Sequence, residues 1–425
     1  MRTDVMRLND RSPRRVPHQT TGRFATGTVS TGSKLATVVL AGCLFLAPAQ
    51  LRADATTDAI TTLKQTGDNA SGAVQARKAM ATLQTADTAA LLPILEGFQD
   101  ASPVAANWLR NAFEAIAAKH VADKSLPQAE LLAFVRDKTQ SPVARRLTYE
   151  WLLQVDATLE EQLIPTMLHD PGSEFRRDAV TRLITQAQAA ENDAAATALF
   201  QQAMSGAVHE DQVKTISAAL RKAGVEVDIQ RHFGFLTSWK IVGPFDNRDE
   251  KGFAVTYPPE EVINLSGEYA SEYPDAGTVH WNPITTDDDF GIVDIAEKIQ
   301  NHKGSLMYAT TTYVSDREQD VEVRLGTPNA WKLWINGQLV FAREEYHRST
   351  RMDQYRIPIH LKAGPNLLLI KVCQNEQKED WAQAYRFQLR ICDGTGAAVL
   401  PATTSARLEQ PRNSISATSL QGVSR

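Results

Sequence analysis

The sequence has no excess of basic residues. Its 425 residues include 45 Lys and Arg against 50 Asp and Glu, a formal net charge of −5, so it lacks the basic field that nucleic-acid binding requires. We therefore expect no DNA or RNA partner. Apolar residues make up 43% and charged residues 22%, which argues against both wholesale disorder and a protein with many membrane spans. The length allows two or three domains.

The motifs of common catalytic and cofactor sites are also missing. The histidines are scattered without His-x-x-x-His or Cys-x-x-Cys spacing, and there is no Gly-x-Ser-x-Gly elbow, phosphate loop or dinucleotide fingerprint. The run Asp287, Asp288, Asp289 lacks the spacing of an EF-hand loop and reads as a polar turn, with a calcium site using Asp289 or Asp294 as the alternative. We therefore expect no enzyme activity, cofactor or metal. Carboxylates that meet only in space leave a hydrolase as a further alternative.

The N-terminus has the layout of an export signal. Several arginines and Lys34 precede an apolar run over residues 35–49, which at fifteen residues is shorter than the roughly 18–20 that a membrane helix needs. Small residues end this run, and cleavage after Ala49 or Ala55 is expected. Residues 1–55 are thus predicted to be a signal segment. The mature chain would be periplasmic or extracellular, without a membrane span.

Residues 40–43, Leu-Ala-Gly-Cys, resemble the bacterial lipobox. That resemblance implies that Cys43 becomes the lipidated first residue of a membrane-anchored lipoprotein. The chain continues with apolar residues 44–46, whereas lipoproteins normally turn polar there, so simple export is favoured. An uncleaved signal anchor is the remaining alternative.

Residues 56–230 contain an internal repeat. The pattern Arg-x-Ala/Thr-x-x-x-Leu/Ile begins at Arg77, Arg110, Arg146 and Arg177, which are 33, 36 and 31 residues apart, and a degenerate copy begins at Lys214. The middle three copies follow Ser-Pro or Asp-Pro-Gly-Ser, sequences that favour a helix start. Helix pairs at this interval cannot bury their apolar faces alone, so they are expected to stack into a solenoid.

The repeats resemble HEAT-like repeats, on phrases such as Val-Ala-Arg at 143–145 and Phe-Arg-Arg-Asp-Ala at 175–179. This resemblance implies a scaffold for protein interaction. Tetratricopeptide repeats have a similar period and remain an alternative, although their Trp and Tyr positions do not recur here. Helices that merely support the rest of the chain are the other alternative.

From about residue 231 to 400 the apolar period changes from 3.6 to 2. Asn336-Gly337 between two apolar runs predicts a β-hairpin, because both turn residues must adopt positive φ. A simple two-residue turn would pair Trp331 with Ala342 and Trp334 with Leu339 across its two strands. Both faces of this hairpin carry apolar side chains.

Four phrases of this region are informative: Trp-Lys-Ile-Val-Gly-Pro-Phe at 239–245, Trp-Ile-Asn-Gly at 334–337, the run 361–372 and Phe-Gln-Leu-Arg at 387–390. On these phrases the region resembles the galactose-binding-like jelly-roll modules of secreted bacterial proteins. Related modules often carry Asp-Asp before the Trp-x-Asn-Gly hairpin, where this chain has Pro328-Asn329. We therefore predict an α+β chain of several domains, with an N-terminal α-solenoid of HEAT-like repeats and a C-terminal antiparallel β-sandwich of jelly-roll type.

A carbohydrate site needs aromatic faces for the sugar ring and planar polar groups for its hydroxyls. The predicted ligand-binding residues, several of them in the charged and aromatic loop after the hairpin, are Trp331, Trp334, Asn336, Glu345, Tyr346, Arg348, Arg351 and Trp381. Core packing is the alternative role for each tryptophan, and a solvated loop is the alternative for residues 344–351. Cys373 and Cys392 lie on the polar parity of two predicted strands, so a disulfide is conceivable in an oxidising compartment.

The tail over residues 401–425 is rich in Ser, Thr, Gln and Asn and is expected to be disordered. Together these features predict an exported, non-catalytic binding protein. Its jelly roll would recognise a glycan and its helices would act as a scaffold. The alternative is a scaffold that binds another exported protein, with a purely structural β module.

Overall fold

The computed structural model describes residues 47–67 and 72–402, with side chains from Asp54 onward. Helices occupy the chain up to Phe233, and antiparallel strands follow from Ser238. Neither large sheet closes into a barrel within the described residues. Among those residues, no helix combines the length and hydrophobicity needed to cross a membrane. Cys43, most of the predicted signal segment, and the chain beyond Ala402 lie outside the described residues.

The recurring basic residues fall in alternate helices. Arg77, Arg110, Arg146 and Arg177 lie in α2, α4, α6 and α8, and Lys214 lies in α10. Pro103 and Pro142 occupy first turns, where a missing N–H costs nothing. The helices are α1 Ala47–Lys64, α2 Ala73–Gln84, α3 Leu91–Glu96, α4 Pro103–Ala122, α5 Gln128–Arg136, α6 Pro142–Leu153, α7 Leu159–Leu163, α8 Ser173–Gln188, α9 Asp193–Gly206, α10 Glu210–Lys222 and α11 Ile229–Phe233.

Ion pairs connect these alternate helices. Arg146 contacts Asp178 of α8 at 2.5 Å, and Arg177 contacts Asp211 of α10 at 2.5 Å. A buried pair ties α6 to the turn before α8: the Arg145 guanidinium donates to both oxygens of Asp170, at 2.8 and 2.9 Å, with both side chains fully buried. Neighbouring helix pairs are thus joined by charge as well as by their shared apolar core.

The strands form a six-stranded sheet in the order β4-β1-β6-β11-β8-β9, a four-stranded sheet in the order β10-β7-β12-β5, and a two-stranded sheet of β2 and β3. Two short helices, α12 Pro258–Glu261 and α13 Ile295–Lys298, lie between strands. The strands are β1 Ser238–Asp246, β2 Glu268–Ala270, β3 Thr278–His280, β4 Asn282–Thr285, β5 Val293–Asp294, β6 Ser305–Ser315, β7 Gln319–Gly326, β8 Ala330–Ile335, β9 Gln338–Arg343, β10 Tyr355–Leu361, β11 Gly364–Gln374 and β12 Arg386–Cys392.

The predicted hairpin is confirmed, but part of its register is not. Asn336 and Gly337 adopt positive φ between β8 and β9, and Trp334 pairs with Leu339. A bulge then leaves Val340 unpaired, so that Trp331 lies opposite Arg343 instead of Ala342. An extra residue in one strand shifts every later pair by one position.

The two large sheets share one hydrophobic core, which includes Trp331. The opposite face of the six-stranded sheet is covered by residues 247–281, which add a second aromatic cluster around Phe245 and Trp334. Lys371 lies beneath this cover, fully buried, and its Nζ donates to the carbonyl oxygen of Val255 at 2.6 Å and to Glu260 Oε1 at 2.9 Å. Burial lowers the pKa of Lys371. The face of β11 that carries Lys371 and Cys373, which alternation assigned to the polar side of the strand, is therefore buried.

Cys373 and Cys392, the two cysteines of the described residues, are free and buried. Cys373 lies in β11 of the six-stranded sheet and Cys392 in β12 of the four-stranded sheet, and they do not form the disulfide that the sequence left conceivable. Burial raises the pKa of Cys373 to about 12 and that of Cys392 to about 11, which makes both thiols poor nucleophiles.

The last helices pack directly against the sheets. A cluster that contains Val180, Phe233 and Phe235 joins α8 to the start of the β region. The Arg390 guanidinium donates to the carbonyl oxygen of Phe233 at 3.2 Å, and Arg221 of α10 pairs with Asp289 at 2.6 Å. The predicted polar turn at Asp289 thus contributes to this junction.

Candidate functional site: an acidic groove beside an exposed tryptophan

Three connecting segments meet at one end of the six-stranded sheet: residues 247–253 after β1, residues 344–354 after β9, and residues 375–385 after β11. The first and third segments border an open groove of about 920 Å³, and the second contacts the third through a hydrogen bond between His347 and Asn375. We call it the acidic groove; its lining residues are Asp249, Glu250, Asn375, Glu376, Gln377, Lys378 and Glu379. Loops held by strand ends are a common location for binding residues.

The backbone around the acidic groove is strained. Asp249, Glu250 and His347 have φ values of 56°, 60° and 57°, in the left-handed region that residues with a side chain rarely adopt. Each such residue costs on the order of 1 kcal/mol or more and persists only where its surroundings hold it. Strain of this kind, concentrated at one place, marks a candidate for function.

Asn375 is the centre of the hydrogen bonds that hold these segments. Its Nδ2 donates to Glu250 Oε1 at 3.0 Å, and its Oδ1 lies 2.6 Å from His347 Nε2. Glu376 Oε1 accepts from the Asp249 backbone N–H at 2.5 Å. Because Asn375 is only 6% exposed, these bonds fix the floor of the groove rather than its rim.

Trp381 is the most exposed large apolar side chain near the groove, with 62% of its surface accessible. The His347 ring meets it edge-on, with ring centroids 5.1 Å apart and planes at 90°. His347 is in turn bonded to Asn375, so the indole is braced from the groove floor. A tryptophan held in this way offers a pre-positioned flat surface to a ligand.

The charge of the groove is predominantly negative. Asp249, Glu250, Glu376 and Glu379 oppose Lys378, and all five are exposed. A hydrogen bond from Lys251 lowers the pKa of Asp249, which keeps that carboxylate ionised. In the described part of the chain the Glu379 carboxylate accepts no hydrogen bond, so it is available to a ligand hydroxyl or amine.

The structure separates the predicted tryptophans. Trp331 is fully buried in the core between the sheets, where it stacks on Phe341 with centroids 4.8 Å apart, so a ligand cannot reach it. Trp334 is 7% exposed beneath the cover of residues 247–281. Both tryptophans therefore have the alternative role, packing in a hydrophobic core. Of the three tryptophans predicted as ligand contacts, Trp381 alone is open to solvent.

The other predicted residues lie in two different places, the hairpin turn and the segment after β9. Asn336 is exposed in the hairpin turn, but its amide bonds Asn366 and the Leu367 backbone, which ties the hairpin to β11. Tyr346 is half-buried, its hydroxyl accepts from Asn247 at 3.2 Å, and burial raises its pKa. The remaining three lie on the segment after β9: Glu345 pairs with Arg348, and Arg348 and Arg351 are exposed.

Sequence reasoning missed the acidic lining of the groove. Its signal was present at residues 375–380, a wholly polar run that directly precedes Trp381 and lies between two apolar strands. A tryptophan at the end of such a run has no apolar side chain among the six residues before it. That context distinguishes it from Trp331 and Trp334, which are embedded in a strand.

No protein-family model matches the chain, and no curated protein matches it. Among solved structures, the beta-glucosidase from Kluyveromyces marxianus in complex with glucose matches 37% of this chain at 12% identity and a TM-score of 0.23. The Faecalibacterium prausnitzii beta-glucuronidase matches 38% at 11% identity and a TM-score of 0.22. The chain spans 16% and 31% of the lengths of these two structures. Similarity this low supports no conclusion about fold or function.

Proposed function

We propose that the protein is an exported, non-catalytic binding protein whose β region recognises carbohydrate at the acidic groove. The observation that carries this proposal is Trp381, an exposed indole braced by His347 beside a row of polar side chains. Sugar rings present an apolar face that packs on aromatic side chains and hydroxyls that bond planar polar groups. The carboxylates of Glu250, Glu376 and Glu379 supply such acceptors.

The rest of the architecture suits this role. In the proposed arrangement the two sheets are a jelly roll of the galactose-binding-like kind, and the helices are a HEAT-like solenoid that positions it. The alternate placement of the recurring arginines and the ion pair between Arg177 and Asp211 support the solenoid. The contacts of Arg390 and Arg221 at the junction support a scaffold that holds the β region firmly.

Export is part of the same proposal. It rests on the basic residues and the fifteen-residue apolar run before Ala49. Under it, the partner is a glycan outside the cytoplasm. Mass spectrometry of the chain purified from an expressing bacterium tests this step, because cleavage near residues 49–55 gives a defined new N-terminus and lipidation at Cys43 gives a different mass.

The binding test is a screen of the purified chain against soluble polysaccharides by affinity electrophoresis. We expect retention by at least one glycan, and we expect Trp381→Ala to weaken it by about 10- to 30-fold, the usual effect of removing an aromatic hot spot. Leu339→Ala is the matched control, because Leu339 is 48% exposed on β9 at the other end of β8 from the groove.

Undiminished retention of Trp381→Ala would contradict the proposal, as would equal losses in both variants. Product analysis of each incubated glycan belongs to the same experiment. Shortened chains that appear with the parent protein would replace the binding function with hydrolysis. An intact glycan together with a loss of retention in Trp381→Ala alone is the expected result.

A further inference from the structure

A second concave surface lies where the helices meet the β region. It encloses about 550 Å³ between α8, α9 and α10 on one side and the chain after β12 on the other. We call it the junction cleft. Its apolar wall includes Met204, Val208, Leu220, Val227, Ala398 and Leu400. The volume falls within the range of small-molecule sites, about 300–1,000 Å³.

Arg176 of α8 forms part of this cleft. Only 8% of its surface is exposed, and its Nε donates to the carbonyl oxygen of Asp170 at 3.2 Å. Within the described residues, its two terminal nitrogens make no hydrogen bond and no ion pair. Burial lowers the pKa of Arg176, and the charges of Asp393 and Asp170 oppose that shift.

The other buried arginines provide the comparison. In the described chain Arg145, Arg324 and Arg390 are at most 5% exposed, and each pairs with a carboxylate within 3 Å. Buried charges are normally paired, because an unpaired one loses its hydration without compensation. Arg176 departs from that pattern, and it does so at the wall of a cavity.

The neighbouring carboxylates are already occupied. Asp170 binds both terminal nitrogens of Arg145. Asp393 accepts from Thr395 and from the Ala397 backbone N–H. Neither lies within ion-pair distance of Arg176, so no carboxylate of the described residues contacts its guanidinium directly.

We propose that the junction cleft binds a small organic carboxylate with an apolar body, whose carboxylate is held by the guanidinium of Arg176. The planar guanidinium presents two parallel N–H donors that match a carboxylate. The apolar wall from Met204 to Leu400 takes the hydrocarbon part. Glu226 and Asp228 outnumber Arg231 among the exposed lining residues, which disfavours a multiply charged anion such as a phosphate ester.

Calorimetric titration of the full chain with octanoate tests the proposal, and 1-octanol and inorganic phosphate serve as comparison ligands. We expect saturable binding of octanoate, and binding of octanol and phosphate weaker by about tenfold or more, the value of charge-assisted hydrogen bonds to the carboxylate. Arg176→Gln should weaken octanoate binding by a similar factor. Arg182→Gln is the matched control, because Arg182 lies on the same helix and pairs with Glu161 outside the cleft.

Circular dichroism shows whether Arg176→Gln remains folded. Val227→Trp provides an independent test with Arg176 intact, because the larger side chain fills the cleft, and it should also reduce octanoate binding. Absence of saturable binding to the parent chain overturns the proposal. So does equal affinity for octanoate and octanol, or unchanged affinity in both Arg176→Gln and Val227→Trp.

Discussion

The acidic groove and the junction cleft treat charge in opposite ways. In the groove, Asp249, Glu250 and Glu376 are exposed and have partners among neighbouring protein groups. In the cleft, the cation Arg176 is nearly buried and lacks a carboxylate partner. Water screens the first arrangement, so its charges reveal little about a ligand by themselves. The proposal for the acidic groove therefore rests on the exposed Trp381, and the proposal for the junction cleft rests on the unpaired charge of Arg176.

The largest expected effect concerns the stability that a buried, paired charge contributes. Arg145→Met leaves the Asp170 carboxylate fully buried without its guanidinium, so we expect a loss of about 3–5 kcal/mol in the free energy of unfolding. Urea denaturation followed by circular dichroism measures it. Arg176→Met, in α8, should change the free energy of unfolding by less than about 1 kcal/mol, because it removes a cation that has no carboxylate partner.

Similar losses in these two variants would remove the contrast on which the junction cleft proposal rests. Arg136→Met is the control for the substitution itself, because Arg136 is exposed at the end of α5. A large loss in that control would indicate a general effect of methionine on the helices and not an effect of burial.

A smaller effect is expected where a paired cation is exposed. Arg177 and Asp211 form a short ion pair, but their side chains are 42% and 64% exposed. Arg177→Ala should therefore cost only about 0.2–1 kcal/mol of unfolding free energy, and less at high salt. Urea titrations at low and high ionic strength measure both. A loss as large as that of Arg145→Met would show that these exposed ion pairs supply a large part of the stability of the stacked helices.

The recurring arginines illustrate what sequence can predict. Their spacing located α2, α4, α6 and α8, because a repeated pattern of helix starts and apolar positions reflects local structure. The same pattern concealed Arg176. It stands beside Arg177 in the motif, and nothing in the sequence indicates that one guanidinium is exposed and paired while its neighbour faces a cavity.

In the β region, the sequence predicted the local hairpin turn, but it did not predict which face of the sheet is covered by a distant segment. Asn336-Gly337 predicted the hairpin because the turn requires positive φ at both residues. Alternation placed Cys373 on the polar parity of its strand, but residues 247–281, far away in sequence, cover that face and bury both Cys373 and Lys371. The same distant cover buries Trp334. Whether a face of a sheet meets water depends on segments whose position the strand's own sequence does not encode.

The smallest expected effect concerns an exposed histidine with two acidic partners. Hydrogen bonds from His360 to Asp320 and then to Glu318 raise its pKa in the folded chain. A raised folded-state pKa means that the contribution to stability is present below the histidine's unfolded pKa and is lost as pH rises through the folded value. The parent chain should therefore lose a little stability between slightly acidic and neutral pH that His360→Gln does not lose. Melting temperatures of both across that pH range measure it. Because His360 is exposed, a pH effect comparable to the loss in Arg145→Met would show that pairing, and not burial, determines how much a charged side chain contributes to the stability of this protein.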